Sequence, residues 1–336
     1  MRNHAVLSIL LVLTLAGWVN SQSASPLELV RTISMPGVTG RFDAFGVDAK
    51  GNRLFVTPLD HKAVEVYDLK TGKLIHSISG IQKAHAVLYR GDLDKIFVTD
   101  GPDGEVKIFD GKNYELAKAI RSLAAPDGIL YDPATYYLYV ITGGENAKLD
   151  YSIISVLDTN KEEHVGDIRI DGGTLEEMRL EKSGPRLFVV NREKNRIEVL
   201  DRNKHTILTN WPLALCKVPV GMAFDEANHR LFVGCRSEVM VALDSTSGKE
   251  ITTMPISKGV DDMTFDVATK RIYIEANTGA IDIYKQSDPD HYQSLGTIPI
   301  GVPAKPGLLV SELSRYFVAV PQHGDVDAAI LEYAVH

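Results

Sequence analysis

The 336-residue chain has only two cysteines and two tryptophans. Two cysteines cannot build a disulfide scaffold or a four-cysteine metal site, and the missing C-x-x-C-H excludes covalently attached c-type haem. No G-x-S-x-G elbow, H-E-x-x-H pair or G-x-x-x-x-G-K-[ST] phosphate loop occurs, so no short catalytic motif announces a reaction. Positive charge is also scarce: 36 Lys and Arg stand against 44 Asp and Glu, a formal net charge of −8. That sign argues against a nucleic-acid or anionic-membrane partner, because such binders usually carry a positive face. Beyond residue 24 no apolar run reaches the ~18 residues a membrane helix needs. What remains is ordinary globular material, 44% hydrophobic and 24% charged, with ample apolar surface for a large core.

The N-terminus reads as an address. Arg2 precedes an apolar run from Ala5 to Gly17, followed by small polar residues. This is the three-part pattern of a cleavable signal peptide over residues 1–24, with cleavage after Ser21 or Ser23. The mature chain, 25–336, is then expected to be periplasmic or secreted, with no transmembrane segment.

An internal repeat organises everything after it. A basic or aromatic residue, then an apolar, an aromatic and a β-branched residue, recur seven times. The phrase begins at Arg53, Lys95, Tyr137, Arg186, Arg230, Arg271 and Arg315, at spacings of 42, 42, 49, 44, 41 and 44. Around each phrase lie short alternating segments such as Val64–Asp68 and Val106–Asp110, separated by turn residues. Four short period-two runs per repeat predict four antiparallel strands. Repeats of about 44 residues with four strands each predict a β-propeller, because one such sheet cannot bury both faces alone. The expected fold is all-β: seven blades in one domain. The seventh repeat lacks a fourth strand, and Leu27–Ile33 resembles the missing one, so the N-terminal strand is expected to close the last blade. The strand-end acids Asp68, Asp110, Asp158, Asp201 and Asp244 recur in turn contexts and read as turn formers.

Phrases such as Leu54-Phe-Val-Thr-Pro58 and Ile96-Phe-Val-Thr-Asp100 resemble the YVTN repeat of bacterial seven-bladed propellers. Pro126-Asp127-Gly128-Ile129 is similar to that family's preceding phrase, and Asp68–Lys73 and Asp244–Lys249 to its hairpin. The resemblance covers roughly residues 27–336 and is nearest to secreted YncE-like proteins. It implies a seven-bladed ring. It implies no single activity, since related propellers include binding proteins, lactonase-like hydrolases and redox modules.

Ligands of propellers usually sit in the concave mouth where the innermost strands begin. The aligned repeats place Asp43, His85, Asp127, Glu176, Val220, Asp261 and Lys305 in one ring there. Ala44, Ala86, Gly128, Glu177, Gly221, Asp262 and Pro306 come next. Asp100, Asn191 and Glu275, with His61, Arg236 and His323 from loops, are expected on the same rim. An insertion at Thr142–Tyr151 brings Glu145, Asn146, Lys148 and Tyr151 over Asp127, Glu176 and Glu177. Such a mouth is acidic. Asp127, Glu176 and Asp261 are candidate ligands of a hard divalent cation, Ca²⁺ or Mg²⁺, and including His85 would admit Zn²⁺ or Mn²⁺. A hydrated rim without a metal is the competing reading. Cys216 and Cys235 lie near one end of one hairpin, a disulfide candidate in an oxidising compartment, although their register is about three residues out of opposition.

These observations favour a monomeric binding or interaction protein presenting an acidic mouth to a small molecule, a cation or an envelope protein. The alternative is a lactonase-like, metal-assisted hydrolase or lyase using the same mouth, with His85 as acid or base.

Overall fold

The structure, a computed structural model, describes residues 25–336; the signal-peptide reading of 1–24 lies outside the described residues. The chain forms seven four-stranded antiparallel sheets in a ring. Each repeated phrase opens the second strand of a blade: Arg53–Pro58, Lys95–Asp100, Tyr137–Gly143, Arg186–Asn191, Arg230–Cys235, Arg271–Ala276 and Arg315–Val320. These strands are covered on both faces, which is why they read as continuous apolar runs rather than as alternation. Leu54, Phe55 and Val56, for example, are all fully buried. The core is therefore a series of layers between blades. Phe55, Val64 and Val66 of blade 1 pack on Val87, Ile96 and Phe109 of blade 2. Each such side chain contributes roughly 1.5–3 kcal/mol by leaving water.

The ring closes as the sequence suggested. Leu27–Met35 pairs antiparallel with Ala328–Val335 and becomes the outer strand of blade 7. Its Ile33 and Met35 enter the core between blades 7 and 1, beside Leu54, Val56 and Phe317. Among the described residues no helix is long and apolar enough to cross a membrane.

The first residue of the repeated phrase straps each blade to the next. Arg53 donates to Gly111 O of blade 2, and Lys95 pairs with Glu162 of blade 3. Tyr137 meets His205 of blade 4 edge-on. Arg186 reaches Ser245 O, Arg230 reaches Asp290, and Arg271 reaches His336 O. At the closure Arg31 performs this task, donating to Leu69 O and Lys70 O of blade 1 while paired with Glu332. The strand-end acids cap turns: Asp110, Asp158, Asp201 and Asp244 each accept from the amides two and three residues ahead. Burial is the largest single influence on Asp244 and pushes it up, but these donors and the Thr246 and Ser247 hydroxyls together outweigh it and hold it at about 2.

Cys216 and Cys235 form a disulfide with Cα atoms 5.7 Å apart. Pro219 is the residue opposite Cys235, so Cys216 is indeed three residues out of register. The chain curls back to bridge that offset. Val218 adopts a left-handed conformation, and Asn195 pins the curl by donating to Cys216 O and accepting from Val218 N.

Candidate functional site

Every inner strand carries a one-residue β-bulge near its start. In blade 1 the register runs from Phe42 opposite Pro58 to Phe45 opposite Val56, so one extra residue is accommodated. Blades 2, 4, 5 and 6 show the same shift. In blade 3 both Asp127 and Gly128 bond Ile141, and in blade 7 both Lys305 and Pro306 bond Ala319. In blades 1 and 2 the repeat's threonine satisfies the freed amide: Ala44 N donates to Thr57 Oγ1 and Ala86 N to Thr99 Oγ1, at 2.7 and 2.9 Å. Bulges re-aim side chains. Here the bulge falls on both rings of candidate residues, and except in blade 5 both members of each pair line the mouth.

The mouth is a cavity of about 810 Å³. It brings together Asp43, His85, Asp127, Glu176, Glu177, Asp261, Asp262, Lys305 and Asn146. His85 Nδ1 lies 2.7 Å from Asp43 Oδ2 and 3.4 Å from Asp127 Oδ1. Lys305 Nζ bridges Asp261, at 2.7 Å, and Asp43, at 3.4 Å. Asn146, on the short 3₁₀ turn Glu145–Ala147 of the insertion, donates to Asp127 Oδ2 at 3.0 Å. Arg192 holds Glu176 at 2.6 Å. Glu177 is tied to Arg179 and accepts from Met222 N of blade 5 and Met263 N of blade 6. This bracing spans three blades, and blade 5 contributes nothing to the lining.

Several expectations are corrected. Val220 is buried and does not line the cavity. Asp100, Asn191 and Glu275 are not on the rim, because the second strand is packed on both faces. Asp100 is buried against Lys107 at 2.7 Å, and Asn191 donates to Glu198. Glu275 lies in the seam between blades 6 and 7, accepting from Tyr316 OH at 2.6 Å. His61 faces Glu65 and His323 faces Pro321 O; neither they nor Arg236 line the mouth. Tyr151 lies under the Arg169 guanidinium, 3.6 Å from the ring centre. Nor do Asp127, Glu176 and Asp261 form a grouping with metal-ligand spacing; Glu176 is paired with Arg192 and Asp261 with Lys305. Among the described residues the one grouping with metal-ligand spacing is Asp43, His85 and Asp127, whose ligand atoms lie within 4.8 Å of one another.

The mouth is also less acidic than expected. Arg41, Lys83 and Arg179 join Lys305, so four bases face six acids. Arg41 and Lys83 stand two residues before Asp43 and His85, so one more aligned ring position would have revealed them. Arg192, in a loop outside the repeat, left no such signal.

Burial disfavours charge on Asp43, but the His85 hydrogen bond and the Lys305 charge outweigh it and hold Asp43 below its ordinary 3.8. Burial likewise opposes charge on His85, and the Asp43 hydrogen bond with the Asp127 charge raises it above 6.5. Asp127 and Glu176 are pushed up chiefly by burial. Glu177 is pushed well up by burial, and Asp262 adds to the shift. Asp43 contributes stability above pH 3.8 that is lost as pH falls through its lowered pKa. His85 contributes stability below pH 6.5 that is lost as pH rises through its raised one. The pair thus supports the fold most fully between those values. His85→Gln is expected to remove the alkaline arm: the melting-temperature gap between wild type and variant should shrink as pH rises past 6.5. A gap constant from pH 5 to 9 would show that the pair carries no such linkage.

No family model matches the chain, and no curated protein matches it. Among solved structures, a chain in the crystal structure of the mitotic checkpoint complex is similar over 100% of both chains, with a TM-score of 0.77 and 13% identity. At that identity the likeness shows the seven-bladed fold alone.

Proposed function

We propose that this chain is a binding propeller that takes a small molecule in its mouth. The observation that carries this reading is the cavity itself. Its 810 Å³ falls within the ~300–1,000 Å³ of small-molecule sites, and His85, Lys305, Arg179 and Arg192 already hold five of its carboxylates in place. Pre-organised polar groups lower the ordering cost of binding. The Cys216–Cys235 disulfide supports an oxidising, periplasmic or extracellular setting. The Thr57 and Thr99 bulge bonds support kinship with YncE-like YVTN propellers, whose repeat phrase those residues match.

Gly128 offers a test. A Cβ there would meet only Ile141 Cδ1, at an ordinary 3.5 Å, so a side chain can project into the mouth without opposing backbone. Gly128→Phe should fold and melt like wild type. Wild type dialysed against a metabolite extract should retain a small molecule visible by native mass spectrometry, and Gly128→Phe should not. Equal retention by both would place binding elsewhere.

One observation favours the metal-assisted hydrolase or lyase: the Asp43, His85 and Asp127 grouping. Against it, Lys305 already places a positive charge 3.4 Å from Asp43, where a divalent cation would be repelled. We expect elemental analysis to find no stoichiometric metal and EDTA to leave the melting temperature unchanged. A bound Ca²⁺, Mg²⁺ or Zn²⁺ whose removal lowers the melt would reverse that preference.

A further inference from the structure

We infer that the ligand of the mouth is a small organic oxyanion, a carboxylate or phosphate on an apolar body, held by Arg41 and Lys83. This rests on the small-molecule reading above and adds the sign of the ligand's charge. That sign is opposite to the one that complements the chain's net charge.

The argument starts from which charges are already engaged. All six carboxylates of the mouth accept from at least one donor. Asp43 and Asp127 share His85, Asp261 takes Lys305, Glu176 takes Arg192 and Glu177 takes Arg179. Asp262 accepts from Met263 N at 2.9 Å. Three lining bases are likewise spent: Lys305, Arg179 and, when charged, His85. Among the described residues Arg41 and Lys83 make no ion pair and no side-chain hydrogen bond, although both line the cavity. They occupy equivalent positions on adjacent blades. The matching residues of the other five blades are Ala125, Thr174, Val218, Gly259 and Pro303, none of them charged. Among the described residues, the lining cations without a partner are therefore Arg41 and Lys83, side by side on adjacent blades.

Further along the inner strands the wall turns apolar, with Phe45, Val87, Leu88, Ile129 and Leu130. An anionic head between Arg41 and Lys83 would leave a hydrocarbon body against these residues. Arginine and lysine bind carboxylates and phosphates through charge-assisted hydrogen bonds.

The test uses probes of one body and different heads: hexanoate, hexyl phosphate, hexanamide and hexylammonium, titrated calorimetrically at low ionic strength. Wild type should bind hexanoate or hexyl phosphate at least about tenfold more tightly than hexanamide or hexylammonium. The better of the two anions identifies the head group. Arg41→Gln/Lys83→Gln should lose that preference while melting like wild type, since Arg41 is exposed and Lys83 half-buried. A preference for hexylammonium, abolished by Gly128→Phe, would overturn the anion assignment and leave the mouth as a binding site. Anion binding unchanged in the double variant would also overturn the assignment, and so would no binding of any probe. If, in addition, wild type and Gly128→Phe retain the same molecules from an extract, the mouth reading fails with it.

Discussion

Alanine at Gly307 is expected to cost the fold about 3 kcal/mol or more. Gly307 opens the inner strand of blade 7, Gly307–Val310, directly against Glu275 of blade 6. A Cβ there would stand 1.4 Å from Glu275 Oε1 and 2.2 Å from its Cδ. A glutamate on the surface would swing aside. This one is 1% exposed, and moving it breaks the 2.6 Å bond from Tyr316 OH and leaves a buried hydroxyl unpaired. Glu275 Oε2 already lacks a partner, and burial drives the carboxyl far towards its neutral form, so the seam has little polar capacity in reserve. Urea denaturation should show the loss as a lower midpoint at constant slope. Gly307→Ala combined with Glu275→Ala should cost clearly less than the sum of the two single changes, because the second vacates the space the first requires although the Tyr316 bond is lost in both. A Gly307→Ala protein as stable as wild type would remove this account of the seam.

Deleting Leu27–Met35 is expected to abolish cooperative folding of the ring. The strand buries Leu27, Ile33 and Met35, on the order of 5 kcal/mol of apolar burial, comparable with the whole net stability of a domain. It also covers the edge of Ala328–Val335, which would otherwise present unpaired amides and carbonyls to other chains. Near-ultraviolet circular dichroism should lose its fixed signal and size exclusion should show association. Adding a peptide of residues 25–36 should restore part of both. A truncated chain that melts cooperatively within a few degrees of the full one would show that blade 7 is stable without its outer strand.

The architecture was legible because its signals are local and repeated. Arg53 through Arg315 mark seven second strands at their first residue, since a strand buried on both faces leaves an apolar run that alignment exposes seven times over. The spare strand at Leu27 was legible for the same reason, as the one segment without a blade. The two rings of mouth residues were legible as positions, because the bulge that aims them is itself part of the repeat. Their partners were not. Arg192 and Arg179 are particular to blade 4, and a lone residue has no period to reveal it; Asn146 was legible only because it sits in the one insertion. Asp100, Asn191 and Glu275 end away from the rim for one reason: their strands are packed on both sides, so Asp100 and Asn191 pair within the blade with Lys107 and Glu198, and Glu275 meets Tyr316 in a seam. The acidic excess read along the rings narrows in the cavity to six acids facing four bases, because Arg41 and Lys83 line it too.

Closure by the strand Leu27–Met35 has a topological consequence. Pro26 O accepts from His336 N at 3.3 Å, so the two ends of the described chain lie side by side on blade 7. The described chain is thus a circle with one covalent gap, sealed by hydrogen bonds instead of a peptide bond. The gap need not lie in blade 7. A short linker joining His336 to Pro26 and a new opening in the connection Gly301–Ala304 between blades 6 and 7 would give a circular permutant with the same seven seams and the same mouth. In that chain the strand that now seals the ring would be an ordinary fourth strand.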